Sequence, residues 1–379
     1  MVAQYHAVQL RETKSFLRRS LENVADQQLH VRQLFTATIV QIVYGRKVEN
    51  MDDEYLTTAQ KAVEGFAETR IIGKFWAEYY PFQRHLPSWF PGGNFKQVAG
   101  YYRPFVDKMV NMPFEATKTQ MVDGTAPDSV ARNMILGVQD KYAGTDLYEE
   151  YDVIARNVAG VAYAAGTDTV RILHCLALVL DANGPAQTTT AAQWFLIAAS
   201  LDTELQRKAQ TELDNVVGQT RLPDMEDLDS LDYIKAIALE SLRWKPVLPL
   251  GIEHMVITDD EYEGYLIPEG TIVVPNAWAM LHDPVDYPSP EEFKPERFLK
   301  NGKLDPTIRS PVTIAFGFGR RICPGRHLAL NSLTLFVASV LHVYDIKPHI
   351  GENGEPLSKS VKATSGVLSI GALYPGSKI

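Results

Sequence analysis

Most of the chain carries apolar positions that recur every three or four residues between charges, the spacing of amphipathic helices. Residues 1–70 read this way throughout, with Leu10, Phe16, Leu17 and Leu21 in 6–23 and Leu34, Phe35, Ile39, Ile42 and Val43 in 31–48. Residues 101–124 and 128–141 continue the pattern. In 201–217 it places Leu205, Ala209, Leu213 and Val216 inward, with Gly218 just past the end of the helix. A further helix over 228–244 is stopped by Pro246. The period changes in 253–275, where Met255-Val256-Ile257, Tyr265-Leu266-Ile267 and Thr271-Ile272-Val273-Val274 read as short strands between acidic and glycine turns. Residues 276–298 are rich in loops, with four prolines, and 360–379 reads as a last hairpin. The pattern predicts a mainly α fold with a minor β region.

Two stretches depart from the helical pattern. Phe75-Trp76-Ala77-Glu78-Tyr79-Tyr80-Pro81-Phe82 and Leu86-Pro87-Ser88-Trp89-Phe90-Pro91-Gly92-Gly93 combine aromatics with prolines that end helices. Their aromatics either cap the core or form an entrance over an apolar pocket. The second stretch, 154–169, is thin: Ala155, Ala159, Gly160, Ala162, Ala164, Ala165 and Gly166 share one helical segment. A glycine inside a helix costs about 1 kcal/mol relative to alanine, so two of them predict that something passes close by. Asp168 and Thr169 then bring an acid and a hydroxyl to its end. On local grounds they read as a helix stop or as the cap of the next helix.

Composition narrows the function classes. With 379 residues the chain is long enough for one large domain or two ordinary ones, and 45% apolar with 22% charged residues is globular usage. A net charge of −9 argues against a nucleic-acid partner, which needs a basic patch. Two cysteines, Cys175 and Cys323, build no disulfide framework, so a reducing compartment is expected. No run reaches the roughly 18 apolar residues of a membrane span, and the N-terminus does not read as a signal peptide.

The chemistry concentrates in Phe316-Gly317-Phe318-Gly319-Arg320-Arg321-Ile322-Cys323-Pro324-Gly325-Arg326-His327, a glycine-rich turn leading into an apolar helix. Gly317, Gly319 and Gly325 let the backbone pass close to a flat ligand. Pro324 suits the first position of the helix. A sulfur at a helix N-terminus faces the positive end of the dipole, which favours the thiolate, a strong axial ligand for haem iron. Arg321, two residues earlier, is placed to meet an anionic group on the same ligand.

The spacing Phe-x-x-Gly-x-Arg-x-Cys-x-Gly, from Phe316 to Gly325, resembles the haem-binding loop of the cytochrome P450 family. The resemblance implies one large, mainly α domain with a minor β region over 1–379, incomplete at its N-terminus. The loop and its following helix would occupy 313–342. Cys323 would be the axial ligand of haem b, and Arg321, with His254, would hold propionates. Ala165-Gly166-Thr167-Asp168-Thr169 resembles the oxygen-activating part of the family's central helix. There Thr169 would bond the oxygen being activated, and Asp168 would bring in protons from water. Glu240 and Arg243 in Glu240-Ser241-Leu242-Arg243, with Arg297 in Pro295-Glu296-Arg297-Phe298, resemble the family's buried structural network. Thr364-Ser365-Gly366-Val367-Leu368 lies where the family lines its substrate pocket. The likeness is sharpest over 202–341 and closest to the fungal, membrane-anchored type.

Residues 170–187 depart from the family. The central helix is expected to run from Thr169 into Thr188-Thr189-Thr190-Ala191-Ala192-Gln193-Trp194, yet eighteen residues intervene, with Asn183-Gly184-Pro185 as turn chemistry. They read as an insert, with a retained intron as the hypothesis; reads of the spliced transcript across codons 170–187 decide it. The implied activity is that of a monooxygenase acting with O2 on a small apolar organic substrate. Electrons would come from NADPH through a separate reductase, at the cytoplasmic face of the endoplasmic reticulum. One rival is an inactive fragment of an incomplete gene model. The other is a haem-thiolate isomerase or dehydratase, which the Asp168–Thr169 pair argues against.

Overall fold

In a computed structural model of the chain, residues 2–23, 26–48, 50, 52–69, 74–168, 190–348, 362–363 and 371–372 are described. Contacts divide the chain into two compact units, residues 3–189 and 190–379.

Among its described residues the first unit has six α-helices: α1 His6–Glu22, α2 Gln27–Tyr44, α3 Glu54–Thr69, α4 Asn94–Val122, α5 Val130–Tyr142 and α6 Tyr148–Asp168. The apolar stripes of α2 to α6 meet in one core that includes Val40 of α2, Leu56 of α3, Phe114 of α4, Ile135 of α5 and Ala159 of α6. Helix starts follow local chemistry. Ser129 caps α5 by accepting from the Arg132 N–H at 3.2 Å. Pro104 and Pro113 lie inside the 29-residue α4, where the apolar pattern prevails over two missing backbone donors.

The small cross-section of α6 has a structural explanation. A Cβ on Gly160 would stand 3.1 Å from Cγ2 of Val110 on α4, and one on Gly166 only 2.6 Å from Cγ2 of Ile39 on α2. What passes close by these glycines is neighbouring helix. The helix is described as far as Asp168; Thr169 and residues 170–187, where an insert is expected, lie outside the described residues.

In the aromatic stretch the chain forms short 3₁₀ turns at Trp76–Glu78 and Pro81–His85. Phe75 is buried, whereas Trp76, Tyr79, Phe82 and Trp89 are exposed, Trp89 to 77%. Of the two readings of this segment, core capping therefore applies to Phe75 and not to these four.

The second unit contains α7 Thr190–Leu201, α8 Thr203–Val216, α9 Asp232–Trp244, α10 Ala277–Leu281, α11 Val312–Ala315 and α12 Arg326–Val343. Helix α12 is apolar on every side, and residues 333–341 are all buried, as expected of a helix at the centre of a unit. Asp202 caps α8 through the Leu205 N–H at 3.0 Å. At its other end Gly218 takes φ +76° and donates to the Leu213 carbonyl. Leu205, Ala209 and Leu213 face inward as the pattern predicts. Val216 does not: it is 37% exposed, and its neighbour Val217, at 7%, takes the inward place where the last turn unwinds.

Among the described residues the β region is four antiparallel pairs. In order they are β1 His254–Met255 with β4 Ile272–Val273, β2 Asp260–Tyr262 with β3 Tyr265–Ile267, β5 Leu299–Lys300 with β6 Lys303–Leu304, and β7 Lys362–Ala363 with β8 Gly371–Ala372. Glu263-Gly264 and Asn301-Gly302 turn their hairpins with positive φ at both residues, the geometry that matches strand twist. Pairing at β1 starts at His254 and includes less of 255–257 than the alternation suggests. The last pair falls within the hairpin expected over 360–379, although residues 364–368 lie outside the described set.

Candidate active site

Cys323 sits in a loop that closes on itself. Helix α11 is a single turn, with Ala315 N–H donating to the Pro311 carbonyl at 2.8 Å. Gly317 and Gly319 follow with φ of +79° and +56°, a region that costs other residues strain. A Cβ on either would meet nothing within 4 Å, so these positions require glycine for conformation, and the space beside them is open. The chain makes a 3₁₀ turn at Gly319–Arg321 and returns, and the Cys323 N–H donates to the Phe316 carbonyl at 2.8 Å. That bond fixes where the sulfur leaves the loop. The thiol is free and half-buried, and a Cβ on Gly325 would lie 3.7 Å from it.

Helix α12 begins at Arg326, with Gly325 in the capping position, so Pro324 lies in the turn ahead of the helix and not at its first position. The difference follows from the Gly325 carbonyl, which accepts the Ala329 N–H at 2.9 Å. The Cys323 carbonyl is itself taken by the backbone N–H and Nη1 of Arg326, at 3.4 and 3.3 Å.

Behind the loop lies a buried set of charges. Glu240 and Arg243, three apart on α9, pair through Arg243 Nε to Oε2 at 2.7 Å and Nη2 to Oε1 at 2.9 Å. Both side chains are 0% exposed. Arg297 Nε donates to the same Oε1 at 3.1 Å, as does the Lys294 backbone N–H at 2.7 Å. The remaining guanidinium donors end on carbonyls: Arg243 on Leu281 and Glu292, Arg297 on Pro288, Ser289 and Glu292. Two cations against one carboxylate is tolerable in the interior because the spare N–H groups are bonded.

The Cytochrome P450 family model matches residues 2–368. This chain belongs to the cytochrome P450 family. It is 38% identical over 356 residues to cytochrome P450 monooxygenase COX2 of Coprinopsis cinerea, covering 94% of this chain and 64% of that protein. To COX1 of the same fungus it is 37% identical over 371 residues, 97% of this chain and 68% of the relative. To tryptamine 4-monooxygenase of Psilocybe cyanescens it is 36% identical over 367 residues, again 68% of the relative. The chain thus spans about two thirds of the length of these relatives. Membership carries a haem cofactor, O2 and electrons from a reductase as general family properties.

The loop fits a haem. Among the described residues no group of three or more His, Cys, Asp or Glu could cage a bare ion. A lone thiolate suits a metal that brings its other ligands with it. The open space beside Gly317 and Gly319 leaves room for a flat macrocycle along the loop. Arg321 is exposed, without a partner among the described residues, so its guanidinium is available to an anionic edge.

The structure brings together only part of the expected site. Phe316, Gly317, Gly319, Arg321, Cys323 and Gly325 share the loop, and Glu240, Arg243 and Arg297 share the network. His254 stands exposed on β1, paired through its backbone register with Val273. Asp168 closes α6 in the first unit, and Thr169 lies outside the described residues. Sequence reasoning missed Glu296, beside Arg297, which accepts from Lys208 Nζ on α8 at 2.6 Å and from the Tyr233 hydroxyl on α9 at 2.9 Å. Lys208 and Tyr233 hold its carboxyl below the usual carboxylate range despite burial, which acts the other way. A single glutamate among many surface acids leaves no pattern to find it by.

Proposed function

We propose that this chain is the haem-thiolate part of a fungal monooxygenase that acts on a small apolar organic substrate. Family membership together with the free thiol of Cys323, held by the bond from its own N–H to the Phe316 carbonyl, supports the reading best. Cys323 would supply its sulfur to the iron of haem b, with Phe316, Gly317, Gly319 and Gly325 of the same loop lying along the cofactor. Bound there, the haem supplies O2 activation, with one atom inserted into substrate and the other leaving as water. Arg321 and His254 would neutralise the propionates. Asp168 would carry protons from water, and Thr169 would hold the hydrogen bond that directs them. Electrons would come from NADPH through a separate reductase, and the complete protein would act at the endoplasmic reticulum membrane, where exposed Trp76, Tyr79, Phe82 and Trp89 suit an entrance for apolar molecules. No helix of the described residues is long and apolar enough to cross a membrane.

The test is turnover of the haem-loaded chain with reductase, NADPH and isotopically labelled O2 on aromatic amines, tryptamine included, and on terpenoid hydrocarbons. Label in the product, dependent on reductase, supports the proposal. A product formed without reductase and without label would make the protein an isomerase or dehydratase, and no turnover by a loaded chain would leave it a non-catalytic piece.

A further inference from the structure

Helix α11 is four residues long and cannot hold its own position, since a single turn in isolation is unstable. The backbone bonds from Ser310 to Cys323 are all local: Thr313 to Ser310, Ile314 to Pro311, Gly317 to Ile314 and Cys323 to Phe316. Something outside the segment must therefore place it. Two contacts do so. Ile314 is buried in the same core as Leu281 and Tyr287. The Tyr287 hydroxyl donates to the Arg309 carbonyl at 2.9 Å, immediately ahead of the segment.

Tyr287 is fully buried, and it also stands against the charge network, with the Arg243 guanidinium carbon 5.6 Å from its ring centroid. Its ring packs edge-on against Phe298, next to Arg297, at 6.3 Å. One side chain thus touches the network with its face and the approach to the cysteine loop with its hydroxyl. Burial pushes the phenol up to about 12, so the hydroxyl remains a donor at any working pH. Asp286 adds a second tie on the same stretch, accepting from Arg309 Nη1 at 2.8 Å at the surface.

We propose that Tyr287 is a positioning residue for Cys323: it transmits the fixed geometry of the Glu240–Arg243–Arg297 network to the loop that presents the sulfur. The inference concerns how the chain holds its own thiol; its relevance to haem rests on the function proposed above. A residue that orients a ligand from behind is often as influential as the ligand's immediate surroundings.

The experiment is labelling of Cys323 by a disulfide reagent on the full chain without haem, in a Cys175→Ser background so that one thiol reports. Tyr287→Phe removes only the hydroxyl. Tyr163→Phe is the matched control, because the Tyr163 hydroxyl also donates to a buried carbonyl, that of Tyr55, at 2.6 Å in the other unit. The loss of one buried hydrogen bond should make loop opening, and so labelling, about fivefold faster in Tyr287→Phe. Tyr163→Phe should leave the rate unchanged. Asp286→Asn, which acts at the surface and leaves the core intact, should raise it about twofold, as expected for an exposed pair. Equal rates in Tyr287→Phe and the parent, or equal rises in both Tyr→Phe variants, overturn the proposal. With haem added, Tyr287→Phe should also lower the share of the reduced carbon monoxide complex that shows the red-shifted Soret band. Absence of that band in the parent counts against the proposed function, while the labelling ratio still judges Tyr287.

Discussion

Glu240 and Arg243 meet through two parallel hydrogen bonds of 2.7 and 2.9 Å with neither side chain exposed to solvent. Glu240→Ala would leave Arg243 and Arg297 as uncompensated buried cations, at a cost of about 3–5 kcal/mol. Arg243→Lys keeps the charge but loses the fork and the bond to Leu281, so it should not rescue. Urea unfolding of the chain, followed by tryptophan fluorescence, measures both. Variants that unfold at the parent's urea concentration would show that the network adds nothing.

The thin face of α6 makes a prediction about a pair. Gly166→Ala places a methyl group within 2.6–2.8 Å of three Ile39 side-chain carbons, and overpacking of this kind costs about 1–3 kcal/mol. Ile39→Ala makes room, so the double variant should recover much of the loss and keep the roughly 1 kcal/mol that alanine adds to a helix. The readout is the coupling energy of the four thermal midpoints. Additive effects would contradict the packing account.

His282 predicts a pH dependence. Its ring is buried, stacked on Trp278 at 4.4 Å, with Nδ1 donating to the Trp278 carbonyl at 2.9 Å. Its Nε2 has no hydrogen-bond partner among the described residues. Burial lowers its affinity for a proton below the ordinary 6.5; Arg243 and Lys245 add to this, while the Trp278 carbonyl and Glu291 oppose it. The fold therefore holds the neutral ring. The stability this contributes is present above about pH 6.5, the unfolded value, and is lost as pH falls toward the lower folded one. The slope of the unfolding midpoint between those limits should flatten in His282→Gln. An unchanged slope would place the titration elsewhere.

Much of the fold could be read from the chain, and the reasons differ by element. Helices α8 and α9 carry strong apolar periodicity and explicit ends, Gly218 after one and Pro246 after the other. Their limits came within a few residues. Helix α4 could be seen over 101–124 but not back to Asn94, because the start of its pattern merges with the prolines and glycines before it. The cysteine loop and the three network charges were legible because fixed spacing carries them. Tyr287, Glu296 and Lys208 were not, since their roles depend on contacts 22 to 88 residues away along the chain. The glycines of α6 show the limit of a sequence signal: Gly160 and Gly166 correctly announced a close approach, but only coordinates identify Val110 and Ile39 as what approaches.

We propose that Cys323 presents a thiolate to haem. Its most direct test is the absorption spectrum of the reduced, carbon monoxide-treated chain after haem loading, beside Cys323→Ser and Cys175→Ser. A strongly red-shifted Soret band is expected in the parent and in Cys175→Ser, and its loss in Cys323→Ser. A red-shifted band that survives Cys323→Ser would contradict it.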